Sequence, residues 1–296
     1  MFRKILLLYN PCAGRRQVGR HLQEICETLE KAGFDVEIYE TKARGDATLK
    51  LARDAAQYDR VVCAGGDGTL NEVISGVLES GHRLPVGYIP AGSTNDFAAS
   101  LGLSCNIPQA ARDVVEGNPI SLDIGSFNGR TFVYTASFGA FTRASYAAPQ
   151  SVKNVLGHMA YLIEGMKDVA HIRPLEMEFC ADGENFGGEY IFGAISNSTS
   201  MGGVLKLDPS RVDLTDGKLE LLLIKATSNL AQLVSVAAAL RARNYEHEGI
   251  FFRSFRNLEI LAKDTFPWTV DGEFEPAADK IHIENLHGAV DLIVPN

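Results

Sequence analysis

The sequence predicts an α/β N-terminal domain, with a mostly parallel sheet and helices on both faces, followed by a second, mostly antiparallel β-sandwich-like domain. Three observations carry this. Short apolar runs alternate with helix-length amphipathic segments over the first 124 residues. Beyond that point strand-like runs follow one another without regularly alternating helices. The length of 296 residues matches two domains of ~100–200 each. No repeat or long linker separates the halves, so a ligand cleft between them is expected.

Residues 4–9 read as a strand buried on both faces. Residues 17–33 place Val18, Leu22, Ile25, Cys26 and Leu29 at helical spacing and stop at a glycine. Residues 34–39 form the next strand, 48–58 a short helix, 60–64 a strand, and 70–80 a helix stopped by Gly81. Residues 85–89 and 95–101 repeat the strand and helix. Parallel neighbours require such crossover connections. In the second half, residues 131–134, 190–195, 218–225, 258–262, 268–270 and 281–283 read as strands. Helical segments at 152–172 and 229–245 interrupt them, the first with Val155, Met159, Leu162, Ile163 and Met166 on one core-facing stripe. The domains are expected at 1–124 and 125–287, with 288–296 returning to the first.

Hydrophobic residues make up 46% and charged residues 22% of the chain, which excludes a disordered, collagen-like or coiled-coil protein. A net charge of −9 argues against a broad grip on nucleic acid. Residues 1–20 nevertheless hold five cations and no acid, a local excess suited to phosphates. No apolar run reaches the ~18 residues that span a bilayer, and the start lacks the features of a signal peptide. A cytoplasmic or peripheral protein is therefore expected. Five cysteines without a C-x-x-C pair fit a reducing compartment. The seven histidines have no metal-ligand or triad spacing.

The strongest local signal is the run from Val61 to Val73, a buried strand turning through Gly65, Gly66 and Gly68 directly into a helix. Such a turn lets backbone approach a ligand closely and aims the unpaired N–H groups of the helix start at it, so phosphate is its natural occupant. It is neither a Walker A loop nor a dinucleotide fingerprint. A purely structural turn is the plainer alternative. Asp67 would be awkward beside bare phosphate and points to a magnesium nucleotide. Two further turns leave strands of the same sheet: Asn10, Pro11, Cys12, Ala13, Gly14, Arg15 and Arg16, and the run from Pro90 to Asp96. Ligands bind at the carboxyl edge of open parallel sheets, so the three could share one site. Ser93, Thr94 and Asn95 could also be helix caps, and Pro11 a turn residue.

Asn10 to Gly14, Gly65 to Glu72 and Pro90 to Phe97, in this order and at these separations, resemble the soluble diacylglycerol kinase-like lipid kinases, which include bacterial diacylglycerol kinases and the catalytic domains of sphingosine and ceramide kinases. The resemblance continues through Leu122 to Gly125, Ala136 to Gly139, Asp213 to Leu219 and Val270 to Glu273. It implies an ATP- and Mg2+-dependent kinase acting on a lipid alcohol such as diacylglycerol, in an interdomain active-site cleft, with transient contact to a membrane surface. Asn10, Pro11, Gly14, Thr41, Gly65, Gly66, Asp67, Gly68, Thr69, Asn71, Glu72, Gly92, Ser93 and Asn95 match the nucleotide-holding positions. Asp67 and Asp96 match carboxylates around magnesium and the phosphates. Asp271 matches the general base, with Glu273 beside it, and Asp213, Asp216 and the carbonyl near Lys218 match a structural magnesium site. Read locally, the Asp271 motif is a hairpin turn and the acidic Asp213 turn a solvated loop.

Ser93 and Thr94 stand where the family commonly has threonine and glycine, and Ala99 where it often has arginine. The alternatives are a NAD kinase-like phosphotransferase and a non-catalytic lipid- or nucleotide-binding module. A homodimer is left open.

Overall fold

The computed structural model describes residues 3–139, 173–201, 205–227 and 229–296. The helix expected at 152–172 lies outside the described residues. The chain divides into two compact units, Met1–Ile124 with His287–Asn296, and Gly125–Leu286.

The first unit alternates strand and helix: β1 (Arg3–Tyr9), α1 (Val18–Lys31), β2 (Phe34–Glu40), α2 (Asp46–Asp54), β3 (Arg60–Gly65), α3 (Asp67–Ser80), β4 (Val86–Pro90), α4 (Asp96–Ser100) and α5 (Ile107–Glu116). β5 (Asn118–Phe127) leaves it, and the end of β17 (Lys280–Val294) returns to it. The sheet order is β17, β4, β3, β1, β2, and the registers Ile5↔Val36, Leu7↔Val62, Val61↔Val86 and Leu292↔Val86 are all parallel. β1 lies between β3 and β2, and Ile5 to Leu8 are fully buried, because both faces are covered. Ile5, Leu7 and Tyr9 pack with Val18, Ile25 and Leu29 of α1 and with Ile107, Ala111 and Val114 of α5. The fully buried Asp123 fastens the returning strand, accepting hydrogen bonds from His287 Nδ1 at 2.8 Å and Gly288 N at 2.7 Å.

The second unit is almost entirely antiparallel, in the order β16 (Glu273–Glu275), β15 (Trp268–Val270), β7 (Thr135–Gly139), β9 (Glu184–Ser196), β8 (Leu175–Ala181), β14 (Asn257–Ala262) and the first half of β17. β12 (Leu219–Lys225) joins β9, β13 (Ile250–Phe255) joins β12, β6 (Arg130–Phe132) joins β5, and β10 (Ser200–Met201) pairs apart with β11 (Leu205–Lys206). Residues 184–190 of β9 pair with β8, whereas its later residues lie between β7 and β12, so one long strand serves both parts of the sandwich. The core is aromatic: Trp268 packs at 5.1 Å from Phe127 and 4.7 Å from Phe138, ring centre to ring centre. α6 (Leu230–Arg241) starts at Asn229, whose side chain accepts the N–H of Gln232.

Several elements differ from the sequence reading. α3 begins at Asp67 rather than Leu70, because Leu70 N–H bonds to Gly66 O at 3.0 Å and makes the glycine turn the helix's first turn. α5 was not expected. Its stripe is Ile107, Ala110, Ala111 and Val114, in which small alanines weaken the periodic signal, while the Asn106 cap starts it. α6 stops at Arg241, before the expected 245, as Arg243 turns to φ 55°. β8 and β13 were also missed.

The five cations of residues 1–20 do not form one patch. Arg3 lies over the Phe34 ring and Lys4 pairs with Glu37 at 2.9 Å, at the start of a seven-residue strand spanning roughly 20 Å. Arg15 and Arg16 stand in the turn beyond its other end.

Glu220 on β12 is buried and both carboxylate oxygens lack a hydrogen-bond partner. Its sheet neighbours are Ser196 and Ser254, and the Ser196 hydroxyl donates to the carbonyls of Tyr134 and Ser198 instead. Burial, reinforced by the charges of Asp216 and then Asp213, pushes Glu220 from its ordinary 4.5 up to about 8. The folded chain therefore keeps a proton that the unfolded chain releases near pH 4.5. Stability contributed this way is complete below that pH and falls as pH rises towards 8, by an upper limit of about 5 kcal/mol. Glu220→Gln should flatten this slope and be more stable than the parent at pH 8. Denaturant titrations at pH 5 and pH 8 check this, and parallel pH dependences would contradict it.

Candidate active site

β1, β3 and β4 run parallel, so the turns that leave them share the carboxyl edge of the first sheet. Asn10 joins the first turn to the second. Its N–H donates to Ala64 O at 3.0 Å, its Nδ2 donates to Thr69 Oγ1 at 3.1 Å, and its Oδ1 accepts Cys12 N–H at 2.9 Å. The second and third turns also meet. Ala91 N–H donates to Gly65 O at 2.7 Å, and a Cβ on Gly66 would lie 3.1 Å from Gly92 Cα. Asp67 reaches across to α4, accepting the N–H of Asp96 at 3.1 Å and of Phe97 at 3.4 Å. Gly14 closes the set. At φ +48° it lies so near the third turn that a Cβ would stand 2.3 Å from Ala91 O and 3.0 Å from Gly92 O.

The gathered turns surround the N-terminus of the 14-residue α3. The N–H groups before Leu70 have no intrahelical acceptor, and they carry the positive end of the helix dipole. Gly68 is exposed there, so the cradle opens to solvent. Chains of phosphate oxygens fit such a cradle. Asp67 and the buried Asp96 place acid beside it, and an anion would need an accompanying cation to tolerate them. Among the described residues, no group of three or more His, Cys, Asp or Glu stands together as a metal cage.

The remaining expected nucleotide residues divide by geometry. Ser93 is exposed on the third turn, and Pro11 and Asn71 are half-buried. Thr41 N–H donates to Tyr9 O at 3.0 Å, which sets it beside Asn10. Asn95 holds its own turn: at φ 52° its Oδ1 accepts Gly92 N–H at 2.8 Å. The Glu72 carboxylate accepts N–H groups of Gly45 and Ala47 at the start of α2. Ala99 is exposed on α4.

In the second unit, Asp271 is buried at φ 47°. Its Oδ2 accepts Val133 N–H at 2.7 Å, and its Oδ1 accepts those of Tyr134 at 3.1 Å and Thr135 at 3.0 Å. Three main-chain donors thus orient this carboxylate. Glu273 is ion-paired with Arg130 at 3.0 Å, and the same guanidinium holds Glu275. Sequence reasoning missed Arg130, for which the only sign is a cation just after the turn at Asn128 and Gly129. Asp213 Oδ1 accepts the N–H and hydroxyl of Thr215, and Asp216 Oδ1 accepts Lys218 N–H at 2.9 Å. These are turn-forming bonds, and Asp213, Thr215, Asp216 and Lys218 are exposed.

Residues 4–127 match the family described as diacylglycerol kinase catalytic domain, and residues 135–294 match the YegS C-terminal NAD kinase beta sandwich-like domain. The chain is 35% identical to a diacylglycerol kinase of Bacillus subtilis (strain 168), over 98% of this chain and 95% of the relative. It is 33% identical to one from Staphylococcus saprophyticus, over 100% of this chain and 97% of the relative. A crystal structure of a diacylglycerol kinase from Bacillus anthracis str. Sterne superposes with a TM-score of 0.82 at 25% identity, covering 99% of this chain and 97% of that one. The two-domain architecture, the glycine turn at the head of α3 and the full-length likeness agree, and the chain belongs to the diacylglycerol kinase family of lipid kinases.

Proposed function

We propose that the protein transfers the γ-phosphoryl group of ATP, bound with Mg2+, to the free hydroxyl of diacylglycerol, giving phosphatidic acid and ADP. The observation that supports this most is the meeting of three turns at the open N-terminus of α3, in a chain whose full-length relatives bear the name diacylglycerol kinase. The turn amides, Asn10, Thr41 and Ser93 would hold the nucleotide. Magnesium bound with it would neutralise phosphate oxygens, with Asp67 and Asp96 as the carboxylates of that network. The lipid oxygen forms a bond to the γ phosphorus as the bond to the bridging oxygen breaks, and the hydroxyl proton passes to Asp271 as general base. The proposal for Asp271 rests on the family motif and on the fixed orientation of its carboxylate.

Diacylglycerol resides in a bilayer, so the reaction would take place at a membrane surface. No helix of the described residues is long and apolar enough to cross one. The test is transfer from radiolabelled ATP into mixed micelles of diacylglycerol, a sphingoid base or ceramide, with NAD as a soluble competitor. Magnesium-dependent label in phosphatidic acid is expected. Label in NAD and none in lipid would contradict the proposal.

A further inference from the structure

Glu72 belongs to the glycine-rich motif at the head of α3, yet its side chain serves a different loop. Oε1 accepts Gly45 N–H at 2.8 Å, Oε2 accepts Ala47 N–H at 3.3 Å, and its main-chain carbonyl accepts Thr48 Oγ1 at 2.9 Å. Gly45 is the N-cap residue of α2 at φ 81°, a conformation that favours glycine, and it brings no side chain to cap the helix. Glu72 supplies from a neighbouring helix the acceptor that a serine or aspartate N-cap would supply, and its charge suits the positive end of α2. Asp46 stiffens the same loop by accepting Tyr39 OH at 2.9 Å and Lys42 N–H at 2.8 Å. At the other end, Thr41 N–H bonds to Tyr9 O, next to Asn10.

Residues 41–45 are therefore strung between the end of β1 and α3, the two elements whose turns meet through Asn10 and Thr69. The segment carries Thr41 and the exposed cations Lys42 and Arg44. We infer that Glu72 is a positioning residue for the nucleotide: it holds residues 41–45 at the rim of the phosphate cradle, so that Thr41 and the flanking cations meet the nucleotide, without touching that ligand itself. This rests on ATP being the phosphoryl donor.

The test uses the full chain with magnesium-ATP, in calorimetric titration and in steady-state kinetics with diacylglycerol micelles, for the parent, Glu72→Ala and Glu72→Gln. Absence of ATP binding to the parent would sink the donor assignment and this inference with it. With parental binding present, Glu72→Ala should raise Kd and KM for ATP about tenfold. Turnover at saturating ATP should fall by less than about threefold and KM for lipid should stay unchanged. Glu72→Gln keeps a carbonyl for Gly45 N–H and should recover most of the loss. A folded Glu72→Ala with a lower thermal midpoint but parental KM for ATP would overturn the inference. So would a raised magnesium requirement in both variants, which marks a direct metal ligand. If Glu72→Ala does not fold, Glu72→Gln decides: KM for ATP raised about twofold with faster amide exchange at Ala47 supports positioning, and an unchanged KM refutes it.

Discussion

Asp271→Asn should lower lipid phosphorylation by about 100- to 10,000-fold, the range typical of a lost general base, while magnesium-ATP binding stays near parental strength. The same substitution should lower stability, for a reason visible around the side chain. Asparagine tolerates the left-handed backbone at φ 47°, so chain conformation is preserved. With its carbonyl in the place of Oδ1, it keeps the bonds from Tyr134 and Thr135. Its NH2 then faces the Val133 N–H, a donor that sits 2.7 Å from Oδ2 in the parent. One buried donor left without an acceptor costs about 1–3 kcal/mol. Turnover and thermal midpoint should therefore both fall, and assays well below the midpoint separate the two effects. A folded variant that turns over within about threefold of the parent would refute the assignment of Asp271 as base.

Gly14→Ala should weaken magnesium-ATP binding by at least about tenfold, because the new Cβ meets main chain rather than the end of a flexible side chain. The nearest atom is the carbonyl oxygen of Ala91, at 2.3 Å, and the next is that of Gly92. The left-handed φ of +48° adds roughly 1–2 kcal/mol of strain for any residue with a Cβ. Relief requires the first turn to separate from the third, which opens the cradle around α3. Gly19→Ala is the matched control, since a Cβ there meets nothing within 4 Å and lies in α1, where alanine is the better helix former. Calorimetric titration of both variants checks the contrast. Equal ATP affinities would show that the closeness of the turns does not matter for the nucleotide.

The parts of this molecule that were legible in the sequence are those with a local physical cause. The buried run of β1, the glycine turn and the alternation of strand with helix each announce themselves within about a dozen residues. The convergence of turns could be expected from parallel topology, because the carboxyl ends of such strands must share an edge. Partner choice was not legible. Nothing near Glu72 in the chain says that it caps a helix 25 residues earlier, and nothing near Glu273 names Arg130, 143 residues before it. The motifs place Asn95 and Glu72 at the nucleotide, and they do not show that the side-chain bonds of both shape the loops around it. β9 shows the same limit: Gly187 and Gly188 argue against a strand there, and pairing with Glu178 and Met177 of β8 overrides them.

The most direct measurement is a crystal structure of the chain with ADP and magnesium. The diphosphate is expected within hydrogen-bond reach, about 3 Å, of the main-chain amides that open α3, with Asn10 and Ser93 on either side of it. A nucleotide seated elsewhere, with the three turns still closed upon one another and empty, would contradict the central claim.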